Sequence, residues 1–120
     1  DDSIKFMGFS SDALLHIRTA SAFVMSSKFE GLSNSMLESL CMGVPTICTK
    51  CGGGGAEAVI RNGVNGILVD IDDDIAESEA LNKIVQNKSY SNHLSNNALI
   101  LRQSLSLETI GNEWANLLFK

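Results

Sequence analysis

At 120 residues, with a formal net charge of -5 and 44% hydrophobic content, the sequence suits one compact domain, which buries about two-thirds of its unfolded surface. No basic stripe of the kind that nucleic acid or an anionic membrane requires is present. No apolar run approaches the ~20 residues that cross a bilayer, and no signal peptide is visible.

The chain opens on Asp1-Asp2, without methionine and just before a strand-like segment, as expected of a piece cut from a longer protein. Ile4 to Gly8 predicts a first strand, and Ser11 or Asp12 can cap a short helix carrying Leu14, Leu15 and Ile17. Ala22-Phe23-Val24-Met25 is wholly apolar between serines, the pattern of a strand buried on both faces. Pro45 to Thr49 predicts a further strand, with proline tolerated at its first position. Gly52 to Gly55 leads into a short helix over Ala56 to Ile60, ended by Asn62-Gly63, and Asn65-Gly66 turns into a strand at Ile67-Leu68-Val69.

From Asp74 the apolar spacing becomes helical: Ile75, Leu81, Ile84 and Val85, then Leu94, Ala98 and Leu101, then Leu107, Ile110, Trp114, Leu117 and Leu118. Short strands alternating with helices, followed by a helical tail, predict an α/β domain with a parallel sheet. Ligands of such sheets bind at the carboxyl ends of the strands, the place taken by Ser26 to Ser33 and by Gly52 to Gly55.

Several features have structural readings. Cys41, Cys48 and Cys51 are an odd set in a reduced, cytosolic-type composition. Cys48 and Cys51 have Cys-x-x-Cys spacing, but glycines follow instead of a helix, and neither a second pair nor His16 or His93 completes a zinc set. Asp70, Asp72 and Asp74 imitate a calcium loop, yet Ile75 stands at its glycine and Leu81 replaces its bidentate glutamate, so helix-capping acids are expected. The glycine run lacks a P-loop ending. Lys28, Lys50, Arg18 and Arg61 read as single solvated charges, and Trp114 and Phe119 as packing residues.

Function is concentrated in Ser27 to Pro45. Seven residues separate Glu30 from Glu38, putting one carboxylate in a glycine-containing turn and the other one turn into a helix that begins near Asn34. The free amides of that helix start suit a phosphate, and Gly31 lets a ligand approach the backbone. Carboxylates beside a phosphate make sense if they accept hydrogen bonds from the paired hydroxyls of sugar and ribose. A competing reading of Glu38 is a capping box, with Ser35 at the cap and glutamate three residues on; a solvated loop acid is the competing reading of Glu30.

Read as a unit, Ser27, Phe29-Glu30-Gly31, Leu37-Glu38-Ser39 and Gly43-Val44-Pro45-Thr46, continued by the glycine run, Glu57 and Asn62-Gly63-Val64-Asn65-Gly66-Ile67-Leu68-Val69, resemble the C-terminal donor-binding domain of GT-B glycosyltransferases of the retaining family 4. The resemblance runs from Phe6-Met7-Gly8-Phe9 to Trp114. It implies a Rossmann-like lobe over residues 1–120, with the acceptor domain and a glycine-rich diphosphate loop bearing arginine and lysine lying upstream. Glu30 would be the catalytic-site acid on the donor sugar, and Glu38 would hold the ribose. Amides of Gly31, Leu32 and Ser33 would meet the sugar and those near Met36 and Leu37 the diphosphate, while Gly8 and Phe9 would line the base pocket. Ser33 stands where the family often has proline, which should loosen the turn.

The implied reaction moves a hexose or amino-hexose from a nucleoside diphosphate to an acceptor hydroxyl with retention, in bacterial polysaccharide or glycolipid assembly. No cofactor or metal is implied beyond the donor. The partners are a nucleotide sugar and a glycan or lipid-linked acceptor, without nucleic acid, in the cytoplasm or against the inner face of its membrane. A noncatalytic nucleotide-sugar-binding module and a GT-B-type epimerase are the alternatives.

Overall fold

The computed structural model describes residues 2–120. Its sheet is parallel, in the order β1 (Phe23–Met25), β2 (Thr46–Thr49), β3 (Ile67–Val69), with Val24 opposite Ile47 and Cys48 opposite Leu68. Between the strands run α2 (Asn34–Cys41) and α3 (Gly55–Val59); α1 (Ala13–Thr19) precedes the sheet. After it come α4 (Asp74–Gln86), α5 (Lys88–Leu99), α6 (Leu101–Ser104) and α7 (Leu107–Leu118). The expected Rossmann-like α/β lobe with a helical tail is therefore present.

Alternation along β2 organises the core. Ile47 joins Ile67, Val69, Ala80, Ile84 and Leu94 on the side covered by α4 and α5. Cys48 faces the other way, into Met36, Leu40, Ala56 and Ile60 of the α2–α3 layer. With every β2 residue buried, this strand is the centre of the sandwich. Burial pushes the Cys48 thiol up to about 12, and Cys51 is buried as well, so the Cys-x-x-Cys spacing carries no activated thiol.

Local chemistry sets the path into β2. Helix α2 ends in a Schellman motif: Gly43 has φ +71°, its amide donates to Leu40 O at 3.0 Å, and Val44 N donates to Ser39 O at 3.0 Å. Pro45 then stops any return to helix, and its carbonyl accepts from Phe23 N at 2.9 Å. Buried Ser39 and Thr46 place their hydroxyls 2.8 Å apart, tying α2 to β2.

Four expectations are corrected. Ile4 to Gly8 forms no strand: a strand exists only as part of a ladder, and none of the three strands pairs with it. β1 is not buried on both faces, because as an edge strand it leaves Val24 36% exposed. Asp73, rather than Asp70, Asp72 or Asp74, caps α4, accepting from Ala76 N at 2.9 Å. Trp114 and Phe119 are exposed, since α7 packs chiefly against α6 and buries none of its residues. Among the described residues no helix is long and apolar enough to cross a membrane.

The layering predicts that Ile47→Ala lowers unfolding free energy by about 2–5 kcal/mol, whereas Leu107→Ala, at an exposed position, shifts it by about 0.5 kcal/mol or less. Urea unfolding of the two variants checks this; equal losses would contradict the assigned centre.

Candidate functional site at the carboxyl edge of the sheet

Three loops leave the carboxyl ends of the strands, and side chains lace them together. Beyond β1 and β2 the ladder continues as an isolated parallel bridge between Phe29 and Gly52, with Glu30 N donating to Gly52 O at 3.0 Å. Thr49 Oγ1 donates to Ser27 O. Lys28 pairs with Asp72 and Lys50 with Asp70, each at 2.9 Å, so these lysines are not the isolated charges expected. The Asp70 carboxylate, by hydrogen bond and charge, raises Lys50 above its ordinary range. These exposed pairs contribute little to stability but join the β3 loop to the other two.

The glycine run is the part that sequence reasoning did not resolve. A Cβ on Gly55 would collide with the Gly31 carbonyl and stand 2.7 Å from Leu32 N; one on Gly53 would collide with the Glu30 carbonyl. Two main chains touch here. The available signal was Gly55 itself, a glycine at the first position of a helix that does not need its conformational freedom.

Helix α2 begins at Asn34, as expected, but its cap is Ser33, whose Oγ accepts from Met36 N at 3.4 Å while its carbonyl accepts from Leu37 N at 3.1 Å. The capping box on Ser35 and Glu38 is thereby corrected: Ser35 lies inside the helix, with its Oγ 3.0 Å from that of Ser33. Nor does Ser33 merely loosen the turn; it supplies the helix with an acceptor.

Glu38 is exposed, one turn along from Asn34, and Glu30 is half-buried in the loop. Neither carboxylate has a hydrogen-bond or ion-pair partner among the described residues. The amides of Gly31, Leu32, Ser33, Asn34 and Ser35 likewise donate to nothing among the described residues. Met36 N is only weakly held, since 3.4 Å is long for an N–H···O bond. The arrangement thus offers acceptors for hydroxyls and a run of donors for an anion.

Gly8 and Phe9 stand on the irregular segment before α1, Phe9 with 99% of its surface free. A groove of about 350 Å³, lined by Arg18, Ser21, Pro45, Lys88 and Ser91 among others, opens at the amino ends of the strands, opposite the two acids. Among the described residues no group of three or more His, Cys, Asp or Glu is gathered to hold a metal.

Residues 1–87 match the family model described as Glycosyl transferases group 1. The chain belongs to this family. Among similar proteins, the lipopolysaccharide core biosynthesis glycosyltransferase LpsE of Rhizobium meliloti is 34% identical over 92 residues, covering 77% of this chain and 26% of that protein. An alpha-1,4-N-acetyl-D-galactosaminyltransferase of Campylobacter jejuni, named for a diNAcBac-PP-undecaprenol glycan, is 27% identical over 115 residues, covering 96% of this chain and 32% of its own. Against solved structures, the fold superposes on Anabaena HepE in complex with UDP with a TM-score of 0.89 at 23% identity, covering 98% of this chain and 32% of HepE. The group 1 chain described here therefore spans about a third or less of each of these three proteins, and its fold is that of a GT-B glycosyltransferase C-terminal domain.

Because Ser33 is the cap, Ser33→Ala is expected to lower stability by about 1 kcal/mol while Glu38→Gln leaves it unchanged. Thermal melting of both variants decides it; a loss confined to Glu38→Gln would restore the capping box.

Proposed function

We propose that the protein carrying this chain is a retaining glycosyltransferase of family 4, which transfers a hexose or amino-hexose from a nucleoside diphosphate to an acceptor hydroxyl. Residues 1–120 supply the donor-binding lobe. An acceptor domain, and a diphosphate loop with arginine and lysine, precede Asp1. The observation that carries this reading is the pair of carboxylates flanking open amides at the start of α2, both without partners among the described residues.

Glu38, on the exposed side of the helix, accepts hydrogen bonds from both ribose hydroxyls. Diphosphate oxygens lie over the start of the helix, beside Met36 and Leu37, where the free amides of Asn34 and Ser35 and the positive end of the helix dipole stabilise the departing charge. Met36 N can exchange its long bond to Ser33 for a phosphate oxygen. Glu30 takes hydroxyls of the sugar, with the amides of Gly31, Leu32 and Ser33 beside it, and holds the anomeric carbon so that the acceptor hydroxyl meets it on the face the diphosphate leaves, its proton passing to the departing phosphate, as retention requires. Gly8 and Phe9 complete the base pocket once the upstream chain covers their segment.

UDP and UDP-glucose occupy the solved HepE complexes, which favours a nucleoside diphosphate sugar as donor here. The named functions of LpsE and of the Salmonella typhi Vi polysaccharide biosynthesis protein favour a bacterial polysaccharide or lipid-linked acceptor; the proposed site of action is the cytoplasmic side of the membrane.

The test is a panel of nucleotide sugars offered to the full-length protein, followed by kinetics on the donor selected. Glu30→Gln is expected to cut turnover by about 10²-fold or more without changing the melting temperature. Glu38→Gln should instead weaken nucleotide binding by about 1.5–3 kcal/mol, the worth of a charged hydrogen bond. Undiminished turnover in Glu30→Gln would remove it from the site.

A further inference from the structure

The geometry points to Gly55 as a positioning residue for donor transfer: its missing side chain lets the glycine loop brace the Glu30–Leu32 backbone, and so sets where the sugar-binding acid stands relative to Glu38. The inference rests on the donor reading of those acids.

Gly55 is a poor choice on local grounds. It is the first residue of α3, its φ is not positive, and glycine destabilises a helix relative to alanine. Gly54, one residue earlier, has φ +67° with nothing within 4 Å of a built Cβ, so conformation explains that glycine. At Gly55 only space explains it. The residue is buried, and the Gly31 carbonyl occupies the volume where a methyl would sit, with Leu32 N 2.7 Å from the same point. Backbone cannot swing aside as a side chain would. Gly53, against the Glu30 carbonyl, repeats the contact two residues earlier in the glycine loop, and the Glu30 N–H to Gly52 O bond of 3.0 Å closes it.

The brace has a rigid footing. Immediately after Gly55, Ala56 is 2% exposed, and it shares a core cluster with Ile60 and with Met36 and Leu40 of α2. Met36 and Leu40 lie on the inner face of the helix whose outer face carries Glu38. One cluster therefore fixes both the helix that presents Glu38 and the loop that supports Glu30. Pushing Gly31 outward by a methyl displaces the sugar end of the site while leaving the ribose end in place.

The experiment compares wild type, Gly55→Ala and Glu30→Gln in the full-length protein, below the melting temperature of each. In Gly55→Ala, donor kcat is expected to fall about tenfold or more, as misplacement by about 1 Å does, with inhibition by UDP within about threefold of wild type. A variant that is only less stable would keep both values. Wild-type kcat in Gly55→Ala, with Glu30→Gln inactive, overturns the brace and leaves the donor reading standing; wild-type turnover in Glu30→Gln sinks the donor reading itself. Should Gly55→Ala not fold, hydrogen exchange in the wild-type protein decides between the outcomes. Saturating UDP is expected to slow exchange in residues 29–34 and in 53–58 together, and slowing confined to 29–34 overturns the inference.

Discussion

Main chain meets main chain where Gly53 and Gly55 lie against the carbonyls of Glu30 and Gly31, and the candidate site depends on that contact. Loops at the end of a sheet are ordinarily more mobile than the strands they leave, and a carboxylate on one meets the tolerance that catalysis needs only where the scaffold holds the loop. Here the loop after β1 borrows rigidity from the one after β2, which is anchored in turn by Ala56 and Ile60. Two glycines in the contact cost conformational entropy on folding. The core on both faces of β2 bears that cost, so stability is concentrated in the sandwich and geometry in the loops.

Helix α2 serves both the site and the core. At its start, Ser33 satisfies Met36 N and Leu37 N but leaves the earlier amides open. At its finish, the Schellman motif around Gly43 and the Ser39–Thr46 contact deliver the chain into β2. Its inner face, Met36 and Leu40, is fully buried, which leaves Glu38 to the outside with no hydrogen-bond or ion-pair partner among the described residues. On the proposed reading, a carboxylate beside a bound diphosphate is electrostatically unfavourable unless it accepts hydrogen bonds from neutral donors. Ribose and sugar hydroxyls are such donors, and they would reconcile the acids with the diphosphate.

Elements whose signal is local were legible in the sequence. β2 and β3 showed as short apolar runs between turn residues, and α4 and α5 as periodic stripes. The segment Ile4 to Gly8 has the right composition for a strand, but composition cannot supply a partner. Two serines, Ser33 and Ser35, both satisfied the local rule for a helix cap, and only the start of hydrogen bonding at Asn34 chooses between them. The stripe of α7 correctly announces a helix; what the stripe packs on is a tertiary fact, and Trp114 remains exposed. Glu30 and Glu38 were singled out by their spacing and by the family resemblance, whereas the role proposed for Gly55 depends on a contact between residues more than twenty positions apart.

The central claim is that donor hydroxyls and diphosphate are shared between two acids and the amides from Gly31 to Met36, the last exchanging its long bond to Ser33. Amide NMR of the full-length protein titrated with UDP tests it most directly. Saturable shifts led by Asn34, Ser35 and Met36, with Glu38 carboxylate resonances moving at the same midpoint, are the predicted result. Shifts gathered instead around Arg18 and Lys88, at the opposite end of the strands, would contradict the account.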